Sequence, residues 1–243
     1  HRDLHSFPTR RSSDLFPQGA VTASPLPQFP LGWCDPRMVT IGLLHADLGA
    51  AAGSYCPVTA KELAAIPVTA WLLGHAHQPD TPDLRAPPPA ILGLGSLQGL
   101  DGGPGERGPH GAWLVTAGED GCRCEMVPVG AACYDTLPVD VDGLDQVGGV
   151  QSRLAAALRG YCSRARQAFP LLRCAVLRPE VSGRTAIRRG EIAQQVEAMG
   201  EAAAANPDLC VILDQAAIQT RPAVDLDAVA QTPTPLGAAI RLR

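Results

Sequence analysis

The chain predicts an α/β fold in two parts. Three patterns carry that expectation. Short apolar runs near 39–44, 70–73 and 90–94 each stop at a loop bearing glycine or histidine. Two further runs, 112–116 and 123–129, flank Gly-Glu-Asp-Gly at 118–121, the signature of a hairpin turn. Beyond residue 145, helical periodicity alternates with short strands.

Taken in order, residues 16–37 are Pro-rich and predict an irregular surface connection. A short helix is expected at 59–65, because Thr59 can cap it and Glu62 can complete a capping box. Prolines 82, 87, 88 and 89 stiffen the loop after 70–77, and Gly102 to His110 forms a second Gly/Pro loop. A change of style at 131–145 suggests a domain boundary, so 16–135 and 136–243 are read as separate domains. In the second, Val147, Val150, Leu154, Leu158, Tyr161, Ala165 and Ala168 recur at spacings of three and four, one face of an amphipathic helix. A strand from Leu171 to Leu177, a turn at Ser182-Gly183, a helix from Gly190 to Ala205 and a strand from Leu209 to Leu213 follow. Asn206-Pro207 stops that helix.

Composition narrows the class. Of 243 residues, 46% are hydrophobic, enough to build a core. No apolar run approaches the ~20 residues of a membrane span, and no signal-peptide pattern opens the chain. A cytoplasmic protein without membrane contact is therefore expected. Its eight cysteines lack any Cys-x-x-Cys, which argues for reduced thiols and against a zinc ribbon. Cys122 and Cys124 are expected on a strand, pointing to opposite faces. Net charge is −4. Residues 151–190 nonetheless hold nine arginines against one acid, Glu180. That cluster is either a phosphate-binding surface or a solvated helix face balanced by its neighbours.

The chemistry concentrates at two strand ends. Trp71-Leu72-Leu73 runs into Gly74-His75-Ala76-His77, with Gly74 expected to turn the backbone, and Val39 to Leu44 runs into His45. Imidazoles delivered by rigid strand ends suit a first-row divalent ion.

The same residues carry a resemblance. Gly74-His75-Ala76-His77, preceded by a strand ending in His45, resembles the closing motifs of the calcineurin-like metallophosphoesterases. Leu43-Leu44-His45-Ala46-Asp47, Tyr55-Cys56-Pro57, Gly95-Ser96-Leu97-Gln98-Gly99 and Glu106-Arg107-Gly108-Pro109-His110-Gly111 follow in an order similar to the DNA-repair exonucleases of the SbcD/YhaO-like branch. This resemblance spans about residues 26–243. It implies the C-terminal half of a metallophosphoesterase β-sandwich with flanking helices, followed by a small α/β capping module. The early Asp-x-His, Gly-Asp and Gly-Asn-His motifs of that superfamily have no counterpart here. Asn206 is the only asparagine, and Asp3-Leu4-His5 follows no apolar strand. The catalytic motifs are thus expected to be missing, and residues 1–15 resemble a translated sequencing adapter, a non-native scar. His1-Arg2-Asp3-Leu4 imitates a kinase loop but lacks its asparagine.

The resemblance implies metal-dependent phosphodiester hydrolysis at DNA ends. Two divalent ions are implied, most suitably Mn2+, with His45 and His75 on one and His77 on the other. Ser96 and Gln98 would touch substrate, Asp47 would support a ligand imidazole, and Arg184, Arg188 and Arg189 would meet DNA. Ordinary loop polarity is the competing reading for Ser96, Gln98 and Asp47, and His110 is a weaker candidate. An SMC-like ATPase partner is implied, and a homodimer is possible. The alternatives are a metallophosphoesterase for a small phosphoester, and a non-catalytic binding module that keeps its histidines. The metal reading requires the three histidines to converge. It also requires apolar sheet surface to be exposed where the missing half would pack.

Overall fold

The computed structural model describes residues 21–34, 38–49, 55–80, 89–118, 121–204, 209–223, 229–231 and 233–241. The scar-like residues 1–15 and most of the stiff loop at 82–89 lie outside these. The chain is mixed α/β and divides into two units, His1–Ser96 with Trp113–Met126, and Leu97–Ala112 with Val127–Arg243. Among the described residues no helix is long and apolar enough to cross a membrane.

In the first unit, β1 (Ile41–His45), β2 (Ala70–Gly74) and β3 (Ala90–Gly93) form a parallel sheet in that order. Gly42 pairs with Trp71 and His45 with Gly74. Between β1 and β2 lies α1 (Ala60–Ala64). Its expected capping box is formed: Thr59 Oγ1 accepts the Glu62 N–H, and a Glu62 carboxylate oxygen accepts the Thr59 N–H at 2.8 Å. Trp71 anchors the core at 1% exposure, its Nε1 donating to the Leu63 carbonyl at 3.1 Å. Phe29 meets the indole edge-on, and Gly42 leaves it room, since a Cβ there would collide with the ring. The Pro-rich segment is not merely a connection: it forms two 3-10 turns, Leu26–Gln28 and Leu31–Trp33, and buries Leu26 in this core.

β1 is an edge strand. Val39, Ile41, Leu43 and His45 alternate along one side, with Val39 45%, Ile41 41% and Leu43 72% exposed. The apolar row therefore leads directly to the histidine.

β4 (Gly111–Gly118) and β5 (Gly121–Pro128) pair with each other, as the hairpin signature suggested, although residues 119–120 lie outside the described set. Cys122 and Cys124 do not point to opposite faces. Side chains alternate with a period of two along a strand, so residues i and i+2 share a face. Their Sγ atoms lie 3.6 Å apart.

The second unit contains a parallel sheet of β6 (Ala132–Asp140), β7 (Cys174–Thr185) and β8 (Cys210–Leu213), with β9 (Ala217–Pro222) also beside β7. α2 (Val147–Ala168) and α3 (Arg189–Ala204) pack against each other, α2 on β6 and α3 on β8. The helical stripe behaves as expected for Val150, Leu154, Leu158, Tyr161 and Ala165, which are buried; Ala168 is exposed.

Several strands run further than the sequence predicts. The division expected between residues 135 and 136 falls inside β6, which runs unbroken through both, and Pro138 is tolerated because β6 is the sheet's edge. No turn occurs at Ser182-Gly183. β7 continues to Thr185, with Gly183 at φ +123° and so close to β6 that a Cβ would lie 2.6 Å from the Asp142 nitrogen. Glycine here marks a close backbone approach. β7 pairs with β8 at an offset of 36 residues (Cys174 with Cys210) and with β9 at 37 (Glu180 with Ala217). The extra residue makes a bulge across from Arg178 and Pro179, and Pro179 has no N–H to extend the ladder. The C-terminal helix Pro235–Arg241 begins with proline at its first turn, where the missing donor costs nothing.

Candidate functional site

His45 closes β1, and His75 follows the last residue of β2, so both emerge at the C-terminal ends of adjacent parallel strands. His45 Nε2 and His75 Nδ1 face each other at 3.2 Å, with ring centroids 5.0 Å apart and planes at 79°. One ring N–H donates and the other nitrogen accepts, so the contact selects complementary tautomers.

Two local features produce this meeting. Gly74 is not the turning residue; it ends β2 opposite His45, and a Cβ on it would lie 3.2 Å from His45 Nδ1. Its missing side chain makes room for the imidazole. The turn falls on His75 itself, at φ +95°, an uncommon conformation for a residue with a side chain. Such strain persists only where surrounding contacts hold it, and it clusters at functional sites.

Those contacts are visible. The Tyr55 ring stacks on His75, with centroids 5.0 Å apart and planes at 25°, and meets His45 edge-on at 5.6 Å. Asp47 fixes Tyr55: its Oδ2 accepts the Tyr55 N–H at 2.8 Å, and its own N–H donates to the Tyr55 carbonyl at 3.0 Å. Asp47 Oδ1 stands 3.6 Å from His75 Nε2, beyond hydrogen-bond distance. Cys56, fully buried at φ 47°, follows Tyr55, and its N–H donates to the Val21 carbonyl. Burial, with Asp47 next in weight, pushes the Cys56 thiol up, so it is an inert wall of the site. Tyr55 was visible in the sequence only as a landmark; nothing in its local pattern marks it as the ring on which His75 rests.

His77 is exposed, and its carbonyl accepts the Ser96 N–H at 2.9 Å, which ties the two loops together. Gly95, at φ +68°, permits this approach, because a Cβ there would lie 2.8 Å from the His77 oxygen. Gln98 falls in the second unit, where its Oε1 accepts the Ala131 and Ala132 N–H groups at 3.2 and 3.3 Å. Its carboxamide holds the start of β6. His110 is buried.

The donor set fits a metal in part. Imidazole nitrogens bind first-row ions at about 2.0–2.1 Å, which puts two neighbouring donors about 2.9–3.4 Å apart. The His45–His75 separation lies within that span. Yet among the described residues no three His, Cys, Asp or Glu side chains are grouped so that they could hold an ion. The site presents a pair of donors and not a complete shell.

The arginines divide. Arg184 and Arg188 are exposed, while their backbone N–H groups donate to Asp142 and Glu191. Arg189 is more committed than its sequence position suggested: its Nη2 donates to the Thr220 carbonyl at 2.9 Å. β9, unforeseen in the sequence, carries that carbonyl to the start of α3. A cavity of about 570 Å³ between α3 and the β8–β9 edge, lined by Val196, Leu213 and Ile218 among others, holds no histidine.

No protein-family model matches the chain, and no curated protein matches it.

Proposed function

We propose that this chain is the C-terminal part of a metallophosphoesterase that hydrolyses phosphodiesters at DNA ends, with a β-sandwich half followed by a capping module. One observation carries the reading: two imidazole nitrogens facing each other at 3.2 Å across the ends of adjacent parallel strands. His45 and His75 hold one divalent ion, Mn2+ being the best suited, and His77 contributes to a second. Bound divalent ions supply a hydroxide nucleophile and neutralise charge on the phosphodiester. Tyr55 holds the His75 ring plane, and Asp47 orients its far nitrogen. Ser96 sits beside His77 to meet the substrate, and Gln98 acts through the backbone it braces. Arg184 and Arg188, with Arg189 behind them, engage phosphates without regard to base sequence. The remaining carboxylate and Asn-His donors arrive with a polypeptide that packs on the row Val39, Ile41 and Leu43. An SMC-like ATPase is the expected partner, DNA the substrate, and dimerisation is compatible with the same exposed row.

The incomplete donor set favours a second reading, a binding module that keeps its histidines without catalysis. Paramagnetic broadening of histidine ring resonances by Mn2+ separates the two. Under the metal reading, His45 and His75 broaden together at low Mn2+, and His45→Ala abolishes the effect on His75. Unbroadened rings favour the binding module. On linear duplex DNA with Mn2+, the chain alone is expected to cleave nothing measurable. Cleavage abolished by His77→Ala would show instead that the site is complete.

A further inference from the structure

Cys122, Cys124 and Met126 occupy alternate positions of β5 and are half-buried, while Arg123, Glu125 and Val127 between them are exposed. Alternation places the two thiols and the thioether on one face. The thiol sulfurs are already 3.6 Å apart. We propose that Cys122 and Cys124, with Met126 as third donor, form a binding site for a soft monovalent cation of the Cu(I) class, independent of the histidine site.

The distances separate this from the other use of a thiol pair. A disulfide requires sulfurs at about 2.05 Å and Cα atoms no more than about 6.8 Å apart. Residues i and i+2 of an extended strand are separated by about 6.6–6.8 Å, the outer edge of that range. Metal–thiolate bonds of about 2.3 Å place two sulfurs about 3.8–4.0 Å apart at tetrahedral or trigonal angles, and about 4.6 Å apart when linear. The observed pair needs to open by only a few tenths of an ångström for the bent geometries, which call for a third ligand. Met126 is next on the same face. Thiolate and thioether donors select Cu(I) over harder ions.

Binding is a proton exchange without electron transfer. Each thiol forms one S–Cu bond as its S–H bond breaks, and the two protons go to solvent while copper stays monovalent. Copper must displace those protons, so affinity rises with pH across the neutral range.

The test is an anaerobic titration of the full chain with Cu(I) against a chromophoric Cu(I) chelator, with circular dichroism to verify folding. The wild-type chain should withhold one Cu(I) that Cys122→Ser and Cys124→Ser each release. Met126→Leu should retain it about ten- to a hundredfold more weakly, the scale of losses around a metal site. Cys174 and Cys210, register partners on β7 and β8, are the internal control, and Cys174→Ser with Cys210→Ser should leave the ion in place. Copper absorption spectroscopy should show sulfur neighbours that diminish in Cys122→Ser. If the wild-type chain withholds no Cu(I), or folded Cys122→Ser/Cys124→Ser withholds as much as wild type, the proposal is overturned.

Discussion

The two parallel sheets of this chain finish their surfaces differently. In the second unit α2 and α3 cover one face, and β7 turns Arg178, Glu180 and Ser182 outward on the other. Along β7 that face is polar from Arg178 to Ser182, while Ile212 of β8, level with Val176, is an exposed apolar residue on it. In the first unit, the side of β1 that bears His45 exposes Val39, Ile41 and Leu43. Parallel sheets are normally covered on both faces, and this exposed apolar row departs from that pattern. One sheet is closed by its own chain. The other leaves that row exposed, and the row ends at His45, which meets the strained His75 with its Tyr55 and Asp47 neighbours.

The largest expected effects test whether each unit has its own core. Trp71→Ala removes the indole that fills the first core and one of the donors to the Leu63 carbonyl, which keeps the Ile66 N–H; a loss of about 3–5 kcal/mol is expected. Leu154→Ala should cost about 2–5 kcal/mol in the second. Urea unfolding followed by amide exchange should show each substitution lowering protection mainly in its own unit. Protection lost equally in both would merge the two halves of the comparison.

Thr59→Ala should cost about 1 kcal/mol by removing the capping box of α1. Hydrogen bonding to Thr59 holds the Glu62 carboxyl below its ordinary 4.5. Its contribution is therefore present above that value and lost as pH falls through the lower folded one. Thermal melts from pH 6 to pH 3 should show an acid-side decline that is shallower in Thr59→Ala; an unchanged slope would remove the cap from the explanation.

Gly74→Ala sharpens the site and not the fold. The added methyl sits against His45, so the imidazole must move, while stability should change by no more than about 1 kcal/mol. Joint Mn2+ broadening of His45 and His75 should weaken; unaltered broadening would mean that the ring contact does not set the site. The smallest stability effect is expected for Leu43→Lys, within about 0.5 kcal/mol because the side chain is exposed. Its readout is association: sedimentation velocity should show any self-association of the chain diminished, whereas undiminished association would place the contact elsewhere.

Legibility followed the range of the interactions involved. The apolar runs at 39–44, 70–73 and 90–94, the capping box and the α2 stripe are local patterns, and each corresponds to an observed element. β6, the second half of β7 and β9 are absent from the sequence prediction; β6 contains Pro138 and β7 contains Pro179 and Gly183, residues unusual inside strands. An edge position, a bulge and a close approach to Asp142 accommodate them, and none of these is visible before the strands are paired.

The sequence by itself determined that two histidines would stand at strand ends, because apolar runs ending at Gly74-His75 and at His45 specify strand and stop together. Tertiary structure alone decided that their rings would meet at 3.2 Å, that Tyr55 and Asp47 would hold them, and that Cys122 and Cys124 would lie within reach of one ion. Periodicity encodes which face a residue takes along its own element. Register between elements, and hence which side chains touch, depends on packing among residues far apart in the chain.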